Sequence, residues 1–338
     1  MEEILTEEEL YQYIFKSKIF TSWHYYTYHF NHRLKGYDHP FAQSIVNACL
    51  DCEKQLPGFA KGFIDAISSI SGREKYEPHY EQLLQRVAEL HILQKLITYE
   101  WPFEAVFNWE PTAKQSKKNP ELTIEGGTKI FGVEVKAPSL LSHIKIRENN
   151  PTQLSARIYS KEQIEQLFGA EDGITLPRDN PVKDFLISAE EKFKPFKEEN
   201  PEFSGVLVIV WDDYIYEPIS ALLHERSGLF TPKSFAVDEE GTPLTFPNVD
   251  GVIIIRHLHQ LMNATIDTPL IDSCRHPLDY GLDCDFPKKV FISNPNGNGV
   301  SNIFVECLQA YTPTHEMGAE YLPSDLIHWI KCPISGPT

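Results

Sequence analysis

The sequence predicts an α/β protein: a three-layer core with the element order α-β-β-β-α-β, preceded by a helical region and followed by an α+β extension. Three observations carry this expectation. Apolar residues recur at helical spacing from Pro78 to Tyr99, through Tyr80, Leu83, Leu84, Val87, Leu90, Leu93 and Ile97. The period then changes to two in three short runs between Phe103 and Lys136. A second amphipathic stretch, Val182 to Phe196, leads into the continuous apolar run Val206 to Trp211, which suits a strand covered on both faces.

Residues 1–75 read as helices. Thr6 and Glu9 form a capping-box pair ahead of Leu10, Tyr13, Ile14 and Phe15, a second apolar run follows Pro40, and a third helix is expected after Pro57-Gly58. Residues 76–256 hold the core. Its long helix ends at Trp101-Pro102, and strands are expected over Phe103–Trp109, Glu121–Ile124 and Ile130–Lys136, with Gly126-Gly127 in the last turn. An irregular insertion spans about 137–180, with one or two helices expected between Gln153 and Phe168. A helix beginning after Asn180-Pro181 and two strands, at Val206–Trp211 and Val249–Ile255, close the core. Residues 257–338 suggest short strands, Pro-rich turns and a last helix over Asp325–Ile330.

The 338 residues are 41% hydrophobic and 23% charged, a composition able to bury a full core, so disorder is excluded as the main theme. No apolar run approaches a membrane span, and Met1-Glu2-Glu3 carries acid where a secretory signal carries base; a cytoplasmic protein with no membrane partner is expected. A net charge of −17 repels polyanions, so any phosphate site must be a local patch. One such patch is legible. From Pro111 to Arg147 the bases Lys114, Lys117, Lys118, Lys129, Lys136, Lys145 and Arg147 face only three acids, Glu121, Glu125 and Glu134. That segment suits a phosphate backbone, and Lys114–Lys118 equally suits a flexible basic loop.

Strand parity exposes the chemistry. Phe131, Val133 and Val135 point to one face, and Glu134 and Lys136 to the other. If Gly126–Lys129 forms the turn, partners sum to 255 and Glu121 falls opposite Glu134. Like charges directly opposed destabilise a strand pair, so a positive group should sit between them. Mg²⁺ takes one or two carboxylates and leaves other positions to water and phosphate oxygens, and a nearby lysine can orient or deprotonate water.

Asn119-Pro120-Glu121, a twelve-residue interval, and Glu134-Val135-Lys136 resemble the PD-(D/E)xK nuclease superfamily. The order of elements agrees with its restriction-endonuclease-like core. The resemblance covers roughly residues 78–212, with Glu121 standing where Asp is usual. It implies a Mg²⁺-dependent phosphodiesterase, with Mn²⁺ as substitute, acting on DNA ahead of RNA in a prokaryotic restriction or defence setting. It further implies Glu121, Glu134 and Lys136 as catalytic residues. Glu121, Glu134, Val135 and, on the first helix, Glu89 form the implied metal set, Glu89 being also readable as a surface helix residue. Gln153 and Arg157 are the nearest match to an accessory polar residue on the following helix. Lys114, Lys117, Lys118, Lys145 and Arg147 are the candidate nucleic-acid contacts. A protein partner or a second copy of the chain is the other partner considered, and a catalytically silent module of the same fold is the competing function.

Other motifs carry less. Cys49-Leu-Asp-Cys52 has half-site zinc spacing without a second pair and reads as buried thiols in a helix. His24, His29 and His32 lie in or beside an aromatic stretch and read as core histidines, and Asn294–Gly299 reads as a turn.

Overall fold

The computed structural model describes residues 5–70, 77–114, 118–139, 141–150, 173–211, 215–255 and 289–312, with a few positions between 152 and 166. Helices α1 (Glu7–Lys16), α2 (Lys18–Thr21), α3 (Thr27–Leu34), α4 (Pro40–Glu53) and α5 (Phe59–Ser69) precede the long helix α6 (Glu77–Thr98). The capping box forms as the spacing predicts, with the Thr6 hydroxyl accepting from Glu9 N and the Glu9 carboxylate accepting from Thr6 N. Pro40 opens α4, where its missing N–H costs nothing. Cys49 and Cys52 are buried free thiols on α4, and His24, His29 and His32 are buried among aromatic rings. Among the described residues no helix is long and apolar enough to cross a membrane.

The chain then enters a seven-stranded sheet. Strands β1 (Val106–Trp109), β2 (Leu122–Gly126) and β3 (Lys129–Lys136) form an antiparallel meander. The β2–β3 register pairs Leu122 with Val133 and Ile124 with Phe131, the sum of 255 that the turn requires. Gly126 already belongs to β2, and Gly127 takes φ 60° in the two-residue turn, a conformation glycine adopts without strain.

After β3 comes an excursion that sequence periodicity left open: α7 (Leu141–Asn149), then a parallel pair of two-residue strands, β4 (Thr152–Gln153) and β5 (Ile174–Thr175). Gln153, expected on a helix, lies in β4. Most of the segment 158–172, where the rest of that helix was expected, lies outside the described residues.

Helix α8 (Asp179–Glu199) starts three residues earlier than Val182, placing Pro181 in its first turn where no intrahelical N–H is needed. It returns the chain to β6 (Phe203–Val210), which runs parallel to β3 as a helical crossover demands. Helix α9 (Tyr216–Leu223) follows, then β7 (Gly251–Ile255), parallel to β6. Strand β8 (Lys289–Ser293) pairs antiparallel with β7, and after α10 (Asn302–Cys307) the short β9 (Ala310–Tyr311) closes the order β1-β2-β3-β6-β7-β8-β9. Part of the expected C-terminal extension therefore belongs to the central sheet. Asp325–Ile330 lies outside the described residues.

Two hydrophobic cores flank the sheet. On one face Leu122, Ile124, Phe131, Val133, Val206, Val208 and Ile253 pack with α6 and the N-terminal helices. On the other, Phe203, Leu207, Ile209, Val252 and Ile254 pack with Val182, Leu186, Ala189 and Phe193 of α8 and with α9. The result is three layers, helix on sheet on helix.

Backbone and charge fix α8 against this second face. A methyl group at Gly205 would lie 2.4 Å from a Phe193 ring carbon and 2.5 Å from the Asn248 carbonyl oxygen. The buried Asp250 carboxylate accepts from Lys197 Nζ at 2.6 Å, Gly205 N at 2.8 Å and Asn298 N at 2.5 Å, so the Asn294–Gly299 segment is a turn held by Asp250. Gly205→Ala is expected to destabilise the protein by about 3 kcal/mol, the upper end of overpacking costs, because a backbone oxygen cannot move aside as a side chain can. An unchanged urea midpoint would contradict that packing.

Candidate active site

The side chains on the second sheet face change character toward β2 and the C-terminal half of β3. Gly132 is covered by the Phe203 ring, and next along the strand come Glu134 and Lys136. Glu121 directly precedes β2, where the pairing slips by one residue: its N–H donates at 2.9 Å to the carbonyl of Val133, already the partner of Leu122. The two carboxylates nevertheless lie on one face and reach one point.

A positive group does sit between them, and it is Lys192 of α8. Its Nζ donates to Glu134 Oε1 at 2.6 Å and Oε2 at 2.8 Å, and stands 3.5 Å from Glu121 Oε1. Lys136 Nζ lies 2.7 Å from the same Glu134 Oε1. Glu134 is wholly buried, while Lys136 and Lys192 keep 26% and 20% of their side chains exposed, so water reaches the ammonium groups. Burial pushes the Glu134 carboxyl up, Lys136 pulls it back down, Glu121 raises it, and Lys192 lowers it again.

Glu89 joins from α6. It pairs with Arg86 at 2.8 Å and shares a hydrogen bond with Glu121; burial, followed by the Glu121 charge, pushes its carboxyl up to about 8. It is a largely buried neighbour of Glu121 and not a surface helix residue. The same helix anchors the exit of β3. Gln85 Nε2 donates to Ala137 O at 3.2 Å, and Glu81 Oε1 accepts from Leu141 N at 2.7 Å and from Ser139 Oγ at 2.9 Å. Helix α6 thus sets both Glu89 and the strand end that carries Lys136.

No family model, curated protein or solved structure matches the chain.

Among the described residues no three His, Cys, Asp or Glu side chains are already placed as a metal cage. The donor set nevertheless fits Mg²⁺ or Mn²⁺, because Glu121 and Glu134 converge on one cationic group and this class of ion asks for no more than one or two carboxylates. Val135, included in the predicted metal set, has its side chain in the opposite core, so only its main chain faces this strand end.

Other expected site residues lie elsewhere. Arg157 is ion-paired with Asp179, donates through Nε to Ser227 Oγ at 2.7 Å, and stacks over Phe235 at 4.3 Å. It ties the excursion to α8 and α9. Nearby, Arg178 and the buried Glu217 pair at 2.7 Å, and Trp211 Nε1 donates to Glu217 at 3.1 Å.

The basic segment does not form one patch. Lys129 donates to Ser301 at 2.9 Å at the far end of β3, and Lys118 is ion-paired with Glu191, the neighbour of Lys192. Lys114 is exposed, with its main-chain N–H on Glu199 at 2.8 Å. Lys145 is exposed on α7, whereas Arg147 is half-buried beside His143, whose imidazole is pushed down to about 3 by burial and by Arg178 and Arg147. Lys117 lies outside the described residues. A cavity of about 550 Å³ lies on this sheet face, lined by Asn108, Thr123, Glu125, Ile130, Phe196 and Phe203.

Lys192 is the residue that sequence reasoning missed. It stands three residues after Ala189 and four before Phe196, and so interrupts the apolar stripe of α8. A lysine on a buried stripe requires a buried anion, and that was the available signal.

The raised Glu89 carboxyl has a consequence for stability. The folded protein holds that proton from an ordinary value of 4.5 up to about 8, where the unfolded chain has lost it. Stability of the EDTA-treated protein is therefore expected to be greatest below this window and to fall as pH rises through it. Glu89→Gln should flatten the slope, which urea denaturation across the window would read; an equal slope in both proteins would place the proton elsewhere.

Proposed function

We propose that the chain is a Mg²⁺-dependent nuclease that hydrolyses phosphodiester bonds, DNA ahead of RNA, with restriction or defence as its setting. The observation that carries the reading is the convergence of Glu121 and Glu134 on one cationic group beside Lys136. The α-β-β-β-α-β order of α6, β1, β2, β3, α8 and β6 supports it, as does the resemblance of the motif residues to the PD-(D/E)xK superfamily.

Glu121 and Glu134 would hold the ion, with Glu89 completing the carboxylate set once its proton is gone. When bound, Mg²⁺ or Mn²⁺ would supply Lewis-acid polarisation of the phosphate and charge stabilisation of the leaving oxygen. The chain's own contribution is positional. Glu134 fixes the Lys136 amine at the rim of the site, where it can orient or deprotonate the attacking water.

Incubation with plasmid, linear DNA and RNA in Mg²⁺, Mn²⁺ or EDTA tests the proposal. Cleavage of DNA in either metal and none in EDTA is expected. Metal-independent cleavage, or none on any substrate with metal bound, would refute it.

A further inference from the structure

We propose that Lys192 is a built-in competitor for the metal: its ammonium takes the space between Glu121 and Glu134, and a divalent cation binds there by displacing it toward the substrate phosphate. The inference rests on the nuclease reading and adds to it the way in which the site is regulated.

Three observations lead to it. The ammonium makes close contacts with both Glu134 oxygens, at 2.6 and 2.8 Å, and reaches Glu121 at 3.5 Å, so it lies at the point on which both predicted ligands converge. Lys136 already neutralises Glu134, 2.7 Å from the same Oε1, so Lys192 is not needed to balance that carboxylate alone. Finally, Lys192 is held at the end of a flexible stem from α8, whose register is set by Ala189 and Phe193 in the core. The stem can swing while the helix stays fixed.

Charge decides the outcome. Glu121, Glu134, Lys136 and Lys192 sum to zero, with two carboxylates against two ammonium groups. A divalent cation added among them would stand beside two ammonium groups at contact distance, and like charges so placed repel strongly where little water screens them. Departure of Lys192 removes one of them from the carboxylates. Its new partner should be an anion, and the phosphodiester that the metal recruits supplies one. The lysine would thereby couple metal entry to substrate entry, since two ligands that favour the same displaced position help one another bind.

The test compares wild type with Lys192→Met, Lys192→Gln and Lys192→Arg by calorimetric Mn²⁺ titration and by thermal melting in EDTA. Removing the competitor should tighten Mn²⁺ binding by about tenfold or more in Lys192→Met or Lys192→Gln. The same two variants should melt lower in EDTA, because Lys136 alone then offsets the two carboxylates. Lys192→Arg, which keeps the charge, should bind Mn²⁺ no better than wild type. A merely structural lysine would weaken both properties together, and weaker or unchanged Mn²⁺ binding in the neutral variants overturns the inference while leaving the metal centre standing. If neither wild type nor any variant binds Mn²⁺, the metal centre falls and this inference with it. The glutamine variant guards against a methionine variant that fails to fold.

Discussion

Lys136→Ala is expected to lower phosphodiester cleavage by about 10²- to 10⁴-fold, the usual worth of a positioned proton-transfer group, while Mn²⁺ binding is retained and not weakened. The geometry separates the two properties. Lys136 touches the site through one bond, 2.7 Å to Glu134 Oε1, and Glu134 retains Lys192 on both oxygens when Lys136 is removed. The carboxylates therefore keep their arrangement and a cationic partner. The variant loses only the amine that faces water at the rim. Cleavage assays beside calorimetric Mn²⁺ titration would check this. Equal cleavage by wild type and Lys136→Ala on every substrate and metal would assign the activity to another site and bring forward the silent-module reading.

The parts of this architecture that were legible in the sequence are those set by local periodicity. Helix α6, the β2–β3 register and strand β6 follow from spacing alone, and the shared face of Glu121 and Glu134 follows from strand parity. Long-range placement was not legible. Sequence parity identified a repelling carboxylate pair and called for a cation, but the nearest one in space comes from Lys192, 58 residues beyond Glu134. Only the crossover that brings α8 over β3 puts it there. The same is true of Arg157. The resemblance suggested it for the site, one turn after Gln153, while its pairing with Asp179 and the bond from its N–H to Ser220 Oγ hold it against α8 and α9. The excursion had no period to read because its strands are two residues each and its helix α7 buries little beyond His143. The basic residues from Lys114 to Arg147 form one segment along the chain, yet the fold sends Lys129 and Lys118 to separate partners.

Knowledge of Lys192 also changes what removal of a carboxylate should do. From the sequence, deleting either glutamate is expected to relieve repulsion and leave the fold intact. With an ammonium already between them, Glu134→Gln instead leaves Lys192 and Lys136 facing a neutral amide. Breaking a buried ion pair from one side costs about 3–5 kcal/mol, and since both lysines retain access to water the expected loss here is nearer about 2–3 kcal/mol. Glu121→Gln should cost less, because Glu121 is 12% exposed and its contact with Lys192 is the longer one, at 3.5 Å. Both variants should abolish measurable Mn²⁺ binding, since each removes one of the two converging carboxylates. Urea denaturation and calorimetry on the same samples separate the two effects. Combining Glu134→Gln with Lys192→Met removes one of the stranded ammonium groups, so the double variant should recover part of the stability lost by Glu134→Gln alone. Strict additivity of the two single losses would mean that Glu134 and Lys192 do not hold one another in solution.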